Sequence, residues 1–275
     1  MVVSGNVTQH RRNRMFLRQN RRGREDSGLL GLLLQSLHRV PILRPSMSWL
    51  IDFWRSSIGG KVTMAVTGVL LFGFVVAHLL GNLQLLAGAE AINAYAQFLQ
   101  SKPGLLWTAR IGLLAVFVVH VVTAVRLSRT NKLARPVPYA KEDTVQASFA
   151  SRSMVLSGVS LLVFVVYHLL HFTFGVTNPE HFAKKGINAG GHDVNAMVTS
   201  SFSVPAIAIA YAVFQLVLFL HLSHGLQSFA QTLGLNHGRY TPLVQKLSFV
   251  LAALVAGGNI LLSLSVLAGI VKVAP

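Results

Sequence analysis

The chain has 275 residues, 52% hydrophobic and 12% charged, with a formal net charge of +16 and no cysteine. That balance excludes an ordinary soluble domain, and the lack of cysteine excludes disulfides, thiolate metal sites and iron–sulfur ligation within this chain. The basic charge is no nucleic-acid footprint: it lies in an N-terminal arm (RRNRMFLRQNRRGR) and in loops beside apolar runs, where Lys and Arg meet anionic lipid headgroups and fix topology.

Residues 1–46 are Arg-rich and irregular, and their apolar patch, GLLGLLLQSL, is too short to cross a membrane. Three readings stand: a targeting presequence, an amphipathic interfacial stretch, or sequence upstream of a true start at Met47. None gives the arm a function. Five apolar stretches follow, at about 62–88, 104–127, 153–176, 203–230 and 243–271. Each reaches the roughly 20 residues that span a hydrocarbon core, and no segment shows the period-two alternation of a barrel strand. The expected fold is an all-α membrane protein, a bundle of five transmembrane helices in the region 47–275.

The connections set the orientation. The first, GAEAINAYAQFLQSKPG, carries few charges and reads as an interfacial helix ending at Pro103. The second, RLSRTNKLARPVPYAKEDTVQASFASR, holds six basic residues against Glu142 and Asp143. The third, with Gly190–Gly191, is a polar surface loop, and the fourth holds Arg239 and Lys246. By the positive-inside rule the N-terminus and the second and fourth loops face the cytoplasm, and the first and third loops and the C-terminus face outward. The expected location is a bacterial inner membrane.

Six of the 11 histidines fall inside spans: His78 in the first, His120 in the second, His168 and His171 in the third, His221 and His224 in the fourth. A single intramembrane imidazole is readily explained as polar glue between helices. One in each of four consecutive spans points to a site, because such groups are costly in lipid and face the bundle interior. At 1.5 Å per residue, His78 lies roughly 25 Å past Lys61 and His168 roughly 24 Å past Arg152, while His120 is only roughly 9 Å before Arg126. His221 also lies in the inner half of its span. His78 and His168 thus form an outer pair, His120 and His221 an inner pair. Two pairs at two depths suit two low-spin haems, each taking one imidazole on either face, with small residues (Gly73, Ala77, Gly81, Ala124, Gly225) admitting a flat macrocycle. A histidine-lined metal transporter would instead gather its ligands at one depth. A structural anchor without cofactor, and a two-haem transmembrane reductase without partner chains, are the other readings.

At these residues the chain resembles the single-chain di-haem cytochrome b membrane anchor of succinate dehydrogenase and fumarate reductase. The matching stretches are AHLLGN and GAEAINAYAQFLQSKP (77–82, 88–103), VVHVVTAVRLS (118–128), VYHLLHF (166–172) and HLSHGLQSFAQTLGL (221–235), and the resemblance covers about 55–273. It implies two haem b groups, a quinone substrate (menaquinone before ubiquinone), and docking to a flavoprotein and an iron–sulfur subunit. It also implies His78 and His168 as distal ligands and His120 and His221 as proximal ligands. His171 and His224 are then neighbours rather than ligands. Arg110, Arg126 and Arg152 are candidates to meet the haem propionates, and Asn82, Gln84 or the Tyr95–Gln100 segment to line a quinone pocket near the distal haem. No Asp or Glu lies within any span, so the membrane acid that some relatives use for proton handling has no counterpart.

Overall fold

The computed structural model describes residues 48–134, 148–183 and 193–272. The arm and most of the basic second loop lie outside them, as does the 184–192 part of the third loop with Gly190–Gly191. Residues from Leu50 onward form one unit. A short helix, Ser48–Arg55, precedes the first span, whose start is capped by Ser56: its hydroxyl accepts from the Gly59 N–H at 2.9 Å, as an N-terminus with unpaired donors requires.

Five helices among the described residues are long and apolar enough to cross a membrane: Ser57–Ala87, Pro103–Leu133, Met154–Thr173, Pro205–Thr232 and Thr241–Leu267. Pro opens the second and fourth at a position where its missing N–H is no loss. Two of the five end irregularly. The first tightens into a 3-10 turn over Leu83–Ala87, and the third widens into a π turn over Leu169–Thr173, directly after His168. The Phe174 N–H bonds to the Leu169 carbonyl at 2.9 Å, closing the wider ring. π turns of this kind collect at functional sites. Gly175 then stops the helix with φ +66°, a conformation suited to glycine, and a Cβ there would overlap the Phe182 ring.

The spans do not all touch. The fourth packs against the first, third and fifth, and the first against the second and fifth. The first and third are not close neighbours, nor are the second and fourth. The outward faces of the second and third spans, with Leu105, Ile111, Leu114, Val118, Val155, Leu156, Val159 and Val163, are exposed on the isolated chain, as lipid-facing surfaces are.

At the end opposite the first span's start, two further helices close the bundle: Ala89–Gln100 after the first span and Val194–Phe202 before the fourth. The interfacial helix expected from the first connection is therefore present. The second of these helices is buried along most of its length and capped by Asp193, whose carboxylate accepts from Ala196 N–H at 2.9 Å. Asn93 ties the two together. Its amide donates to Asp193 Oδ1 at 2.9 Å, and its oxygen accepts from the Asn195 N–H at 3.0 Å. Asn93→Ala strands the Asn195 N–H and loosens the cap carboxylate. The expected loss is about 1–3 kcal/mol, the usual cost of an abandoned buried hydrogen bond, read as a lower unfolding temperature of the detergent-solubilised protein.

Candidate functional site

The structure brings two of the histidines on the four spans into ring contact and places the others at a second level. The His78 and His168 rings lie edge to face with centres 5.8 Å apart. Imidazole nitrogens hold transition metals at about 2.0–2.1 Å, so two rings on either side of one ion have centres roughly 6 Å apart. Each ring of this pair is also backed by an aromatic one helical turn earlier: Phe74 stacks on His78 at 5.5 Å, and Phe164 lies 5.9 Å from His168. His221 lies within electrostatic range of both His120 and His224.

The ring orientation of the second pair is set by hydroxyls on the neighbouring spans. His120 Nδ1 lies 3.0 Å from Thr67 Oγ1, and His221 Nδ1 lies 3.2 Å from Ser157 Oγ. Both hydroxyl protons are already committed to the helix backbone, Thr67 to the Thr63 carbonyl at 2.7 Å and Ser157 to the Met154 carbonyl at 3.1 Å. With the hydroxyl proton on the helix carbonyl, each hydroxyl oxygen accepts and the imidazole facing it donates from Nδ1. A neutral imidazole with its proton on Nδ1 keeps a lone pair on Nε2, the form that binds a metal ion without adding a buried charge. In this form His120 and His221 each keep a bare Nε2. Beside each hydroxyl stands a glycine, and a Cβ on Gly68 or Gly158 would touch the Cε1 of His120 at 3.5 Å or of His221 at 3.6 Å.

These contacts expose a repeat. Thr67, Gly68, Phe74 and His78 in the first span match Ser157, Gly158, Phe164 and His168 in the third at a constant offset of 90 residues. Within each span the hydroxyl and the histidine are 11 residues apart. That is three helical turns, so they share one face with roughly 16 Å between them. Since Thr67 and Ser157 mark the level of His120 and His221, the two pairs stand at two depths separated by about that distance.

The choice within each double histidine also gains a geometric basis. His171 is 1% exposed, and both its nitrogens are engaged, Nδ1 with the Tyr211 hydroxyl at 3.0 Å and Nε2 with Ser201 Oγ at 3.1 Å. It has no free nitrogen to offer. His168, in contrast, is half-buried and contacts Tyr211 only through Nδ1, at 3.5 Å. In the fourth span His221 is the one oriented by a hydroxyl. His224, half-buried one turn further along, has no hydrogen bond to another described residue.

The three arginines sit differently. Arg126 is drawn inward: its guanidinium lies over the Trp54 ring at 4.2 Å, and both terminal nitrogens are buried without a hydrogen-bond partner among the described residues. Gly60 makes the room, since a Cβ there would fall 2.4 Å from Arg126 Nη2. A buried cation with idle donors is costly unless an anion meets it. One turn towards His120, Thr123 is fully buried with its hydroxyl likewise unpaired. Arg110 is exposed and lies over Trp107 at 5.3 Å, and Arg152 is exposed at the start of the third span. A macrocycle with two anionic arms fits the donors on the Arg126 side: two lone-pair imidazoles, flanking glycines, and a buried guanidinium.

At the other end a cavity of about 190 Å³ is lined by His78, Gly81, Asn82, Ile92, Tyr95 and Leu99, with Ala96 and Val194. Gly81 lets Tyr95 approach, for a Cβ there would stand 2.7 Å from the ring. Asn82 and Tyr95 thus enter the lining, while Gln84 is exposed and outside it. Among the described residues no three His, Asp or Glu converge as a metal-binding group.

The succinate dehydrogenase/fumarate reductase transmembrane subunit family matches residues 140–257. A succinate dehydrogenase cytochrome b558 subunit from Bacillus subtilis (strain 168) is 27% identical over 190 residues, covering 67% of this chain and 82% of that protein. No solved structure matches. Replacing Thr67 by Val, or Ser157 by Ala, removes the acceptor that fixes the Nδ1 tautomer. Outer partners of metal ligands are worth about 10–100-fold in affinity, so each variant should bind haem about that much more weakly, measured by haem titration of the purified protein.

Proposed function

We propose a function from one premise: this chain belongs to the transmembrane cytochrome b subunits of succinate dehydrogenase and fumarate reductase, multi-pass anchors of those complexes. On this reading it passes electrons between an iron–sulfur partner, itself joined to a flavoprotein, and a quinone in the membrane. The observation that carries the reading is the pair of histidine pairs at two depths, with Nε2 of His120 and His221 left free by their hydroxyl partners.

Haem b, when bound, supplies one-electron redox chemistry. The chain's own residues do the rest. His120 and His221 hold the proximal group, and Arg126 meets its propionates as a charge-assisted donor. His78 and His168 hold the distal group, backed by Phe74 and Phe164. Neutral ligands would add no fixed charge to the interior, and the two levels would place the two groups at different depths of the membrane.

The cavity beside His78 is the proposed quinone site. At about 190 Å³ it is smaller than the roughly 300–1,000 Å³ of whole-ligand pockets, which suits a head group whose tail runs into lipid. Asn82 and Tyr95 supply polar groups to a quinone carbonyl, with menaquinone the first quinone to test. The cationic residues Lys61, Arg126, Arg129, Lys132, Arg152 and Lys246 cluster at the ends of spans that share one side of the bundle. By the positive-inside rule that side is cytoplasmic, where the partner subunits dock, and the cavity lies towards the outside.

The purified complex should contain two haems per chain. His120→Ala or His221→Ala is expected to remove the proximal haem and leave the distal one largely present, by haem content and by the low-temperature reduced spectrum. Full occupancy of both haems in either variant would refute the pairing. Asn82→Leu should raise the quinone KM several-fold while leaving both haems bound, in a quinone-reduction assay with menaquinone and ubiquinone analogues.

A further inference from the structure

Two imidazoles converge on one phenol. The Tyr211 hydroxyl lies 3.0 Å from His171 Nδ1 and 3.5 Å from His168 Nδ1. Beyond His171 the contacts continue outward: His171 Nε2 to Ser201 Oγ at 3.1 Å, Ser201 Oγ to His181 Nδ1 at 3.3 Å, and His181 Nε2 to Glu180 at 3.8 Å. Tyr211, His171 and Ser201 are sealed, whereas Glu180 is 67% exposed. A line of polar side chains therefore runs from a haem-ligand candidate to the aqueous surface through an otherwise apolar end of the bundle, lined by Phe172, Phe202 and Leu262.

Proton placement along this line follows from one condition. A phenol has one proton to give, so it cannot donate to both imidazoles. With His168 bound to iron through Nε2, its Nδ1 must carry hydrogen and donate to the Tyr211 oxygen. The Tyr211 proton is then free for His171 Nδ1, which obliges His171 to hold its own proton on Nε2 and donate it to Ser201. Ser201 has already committed its proton to the Met197 carbonyl at 2.8 Å, so its oxygen accepts. From His168 to Ser201 every donor finds an acceptor and each bond runs away from His168, while His181 donates inward from Nδ1 to the Ser201 oxygen.

From this ordering we propose that Tyr211, oriented by His171 and Ser201, is the positioning residue that sets the donor strength of His168 and hence the reduction potential of the distal haem. The inference rests on the two-haem reading above. A phenol oxygen accepting from Nδ1–H makes the imidazole more basic and favours the oxidised iron. The chain behind Tyr211 polarises that bond further, since serial hydrogen bonds strengthen one another. No described hydroxyl plays this part for His78, so the effect belongs to one ligand of one haem.

The test is a redox titration of the purified complex, following both haems by visible absorbance and by their low-spin EPR signals. Tyr211→Phe should shift the distal potential upward and change the distal EPR signal, with the proximal potential unmoved and both haems retained. Ser201→Ala, which leaves all the rings in place, should shift the same potential upward by less. It stands as the deciding variant if Tyr211→Phe loses its distal haem. An unmoved distal potential in the haem-replete variants, or equal shifts of both haems, would overturn the inference. An unmodified complex without two haems would instead overturn the proposed function, and is read before any variant is made.

Discussion

A neutral imidazole inside a membrane must be told which nitrogen to leave bare. In this bundle the instruction comes from hydroxyls whose own protons are already spent on helix carbonyls. Thr67 bonds back to Thr63 and Ser157 to Met154. Such back-bonding is usually a small irregularity of a helix, but here it removes the ambiguity of the hydroxyl and so of the histidine facing it. His120 and His221 become acceptor-ready at Nε2 without any charge entering the hydrocarbon layer, where an unpaired ion is costly. The placement of glycines, aromatics and arginines makes sense once those two rings are fixed.

The same constraint explains why the first and third spans look like copies. A hydroxyl three turns from a histidine on one helix face serves two levels at once, orienting the neighbour's ring at one level and presenting its own at the other. Thr67 with His78 does this in the first span, and Ser157 with His168 in the third. The fourth span sits between them, touching both. The two copies then diverge at their ends. The first span tightens into a 3-10 turn, where Asn82 and the Tyr95 helix enclose a cavity, and the third widens into a π turn that carries His171 into a sealed polar cluster.

How much of this was legible in the sequence depends on how local the controlling physics is. The five spans were readable because hydropathy sums over about 20 residues and no single contact decides it. The depths of the histidines were readable because rise per residue is nearly constant. Azimuth was not: the same reasoning offered Arg110, Arg126 and Arg152 alike, and only the structure distinguishes the inward Arg126 from the two exposed ones. What separates His168 from His171 is a tyrosine 40 residues away from His171 and a serine 30 away, and no spacing rule reaches them. Nothing in composition or hydropathy marks Thr67 and Ser157 within their apolar spans. The repeat of hydroxyl, glycine, phenylalanine and histidine was nevertheless there to be aligned, and it is the signal that would have singled them out.

The packing of the bundle turns on what lies between helices that are not close neighbours. A five-helix membrane protein stabilised by side-chain packing alone brings neighbouring backbones close, commonly through small residues. Here the first and third spans, and the second and fourth, are not close neighbours, yet these are the pairs that share a histidine level. Among the described residues the interior also holds buried groups without a hydrogen-bond partner: the guanidinium of Arg126 and Thr123 Oγ1 on the second span, and Gln215 Oε1 on the fourth. Groups of this kind weaken a bundle unless something meets them. On the proposed function, a cofactor that bridges the two spans of each level and supplies anions to the guanidinium would add its binding free energy to the folded state alone. Electron transfer and helix association would then rest on the same contacts, and a substitution that loosens one haem would also loosen the two spans that hold it.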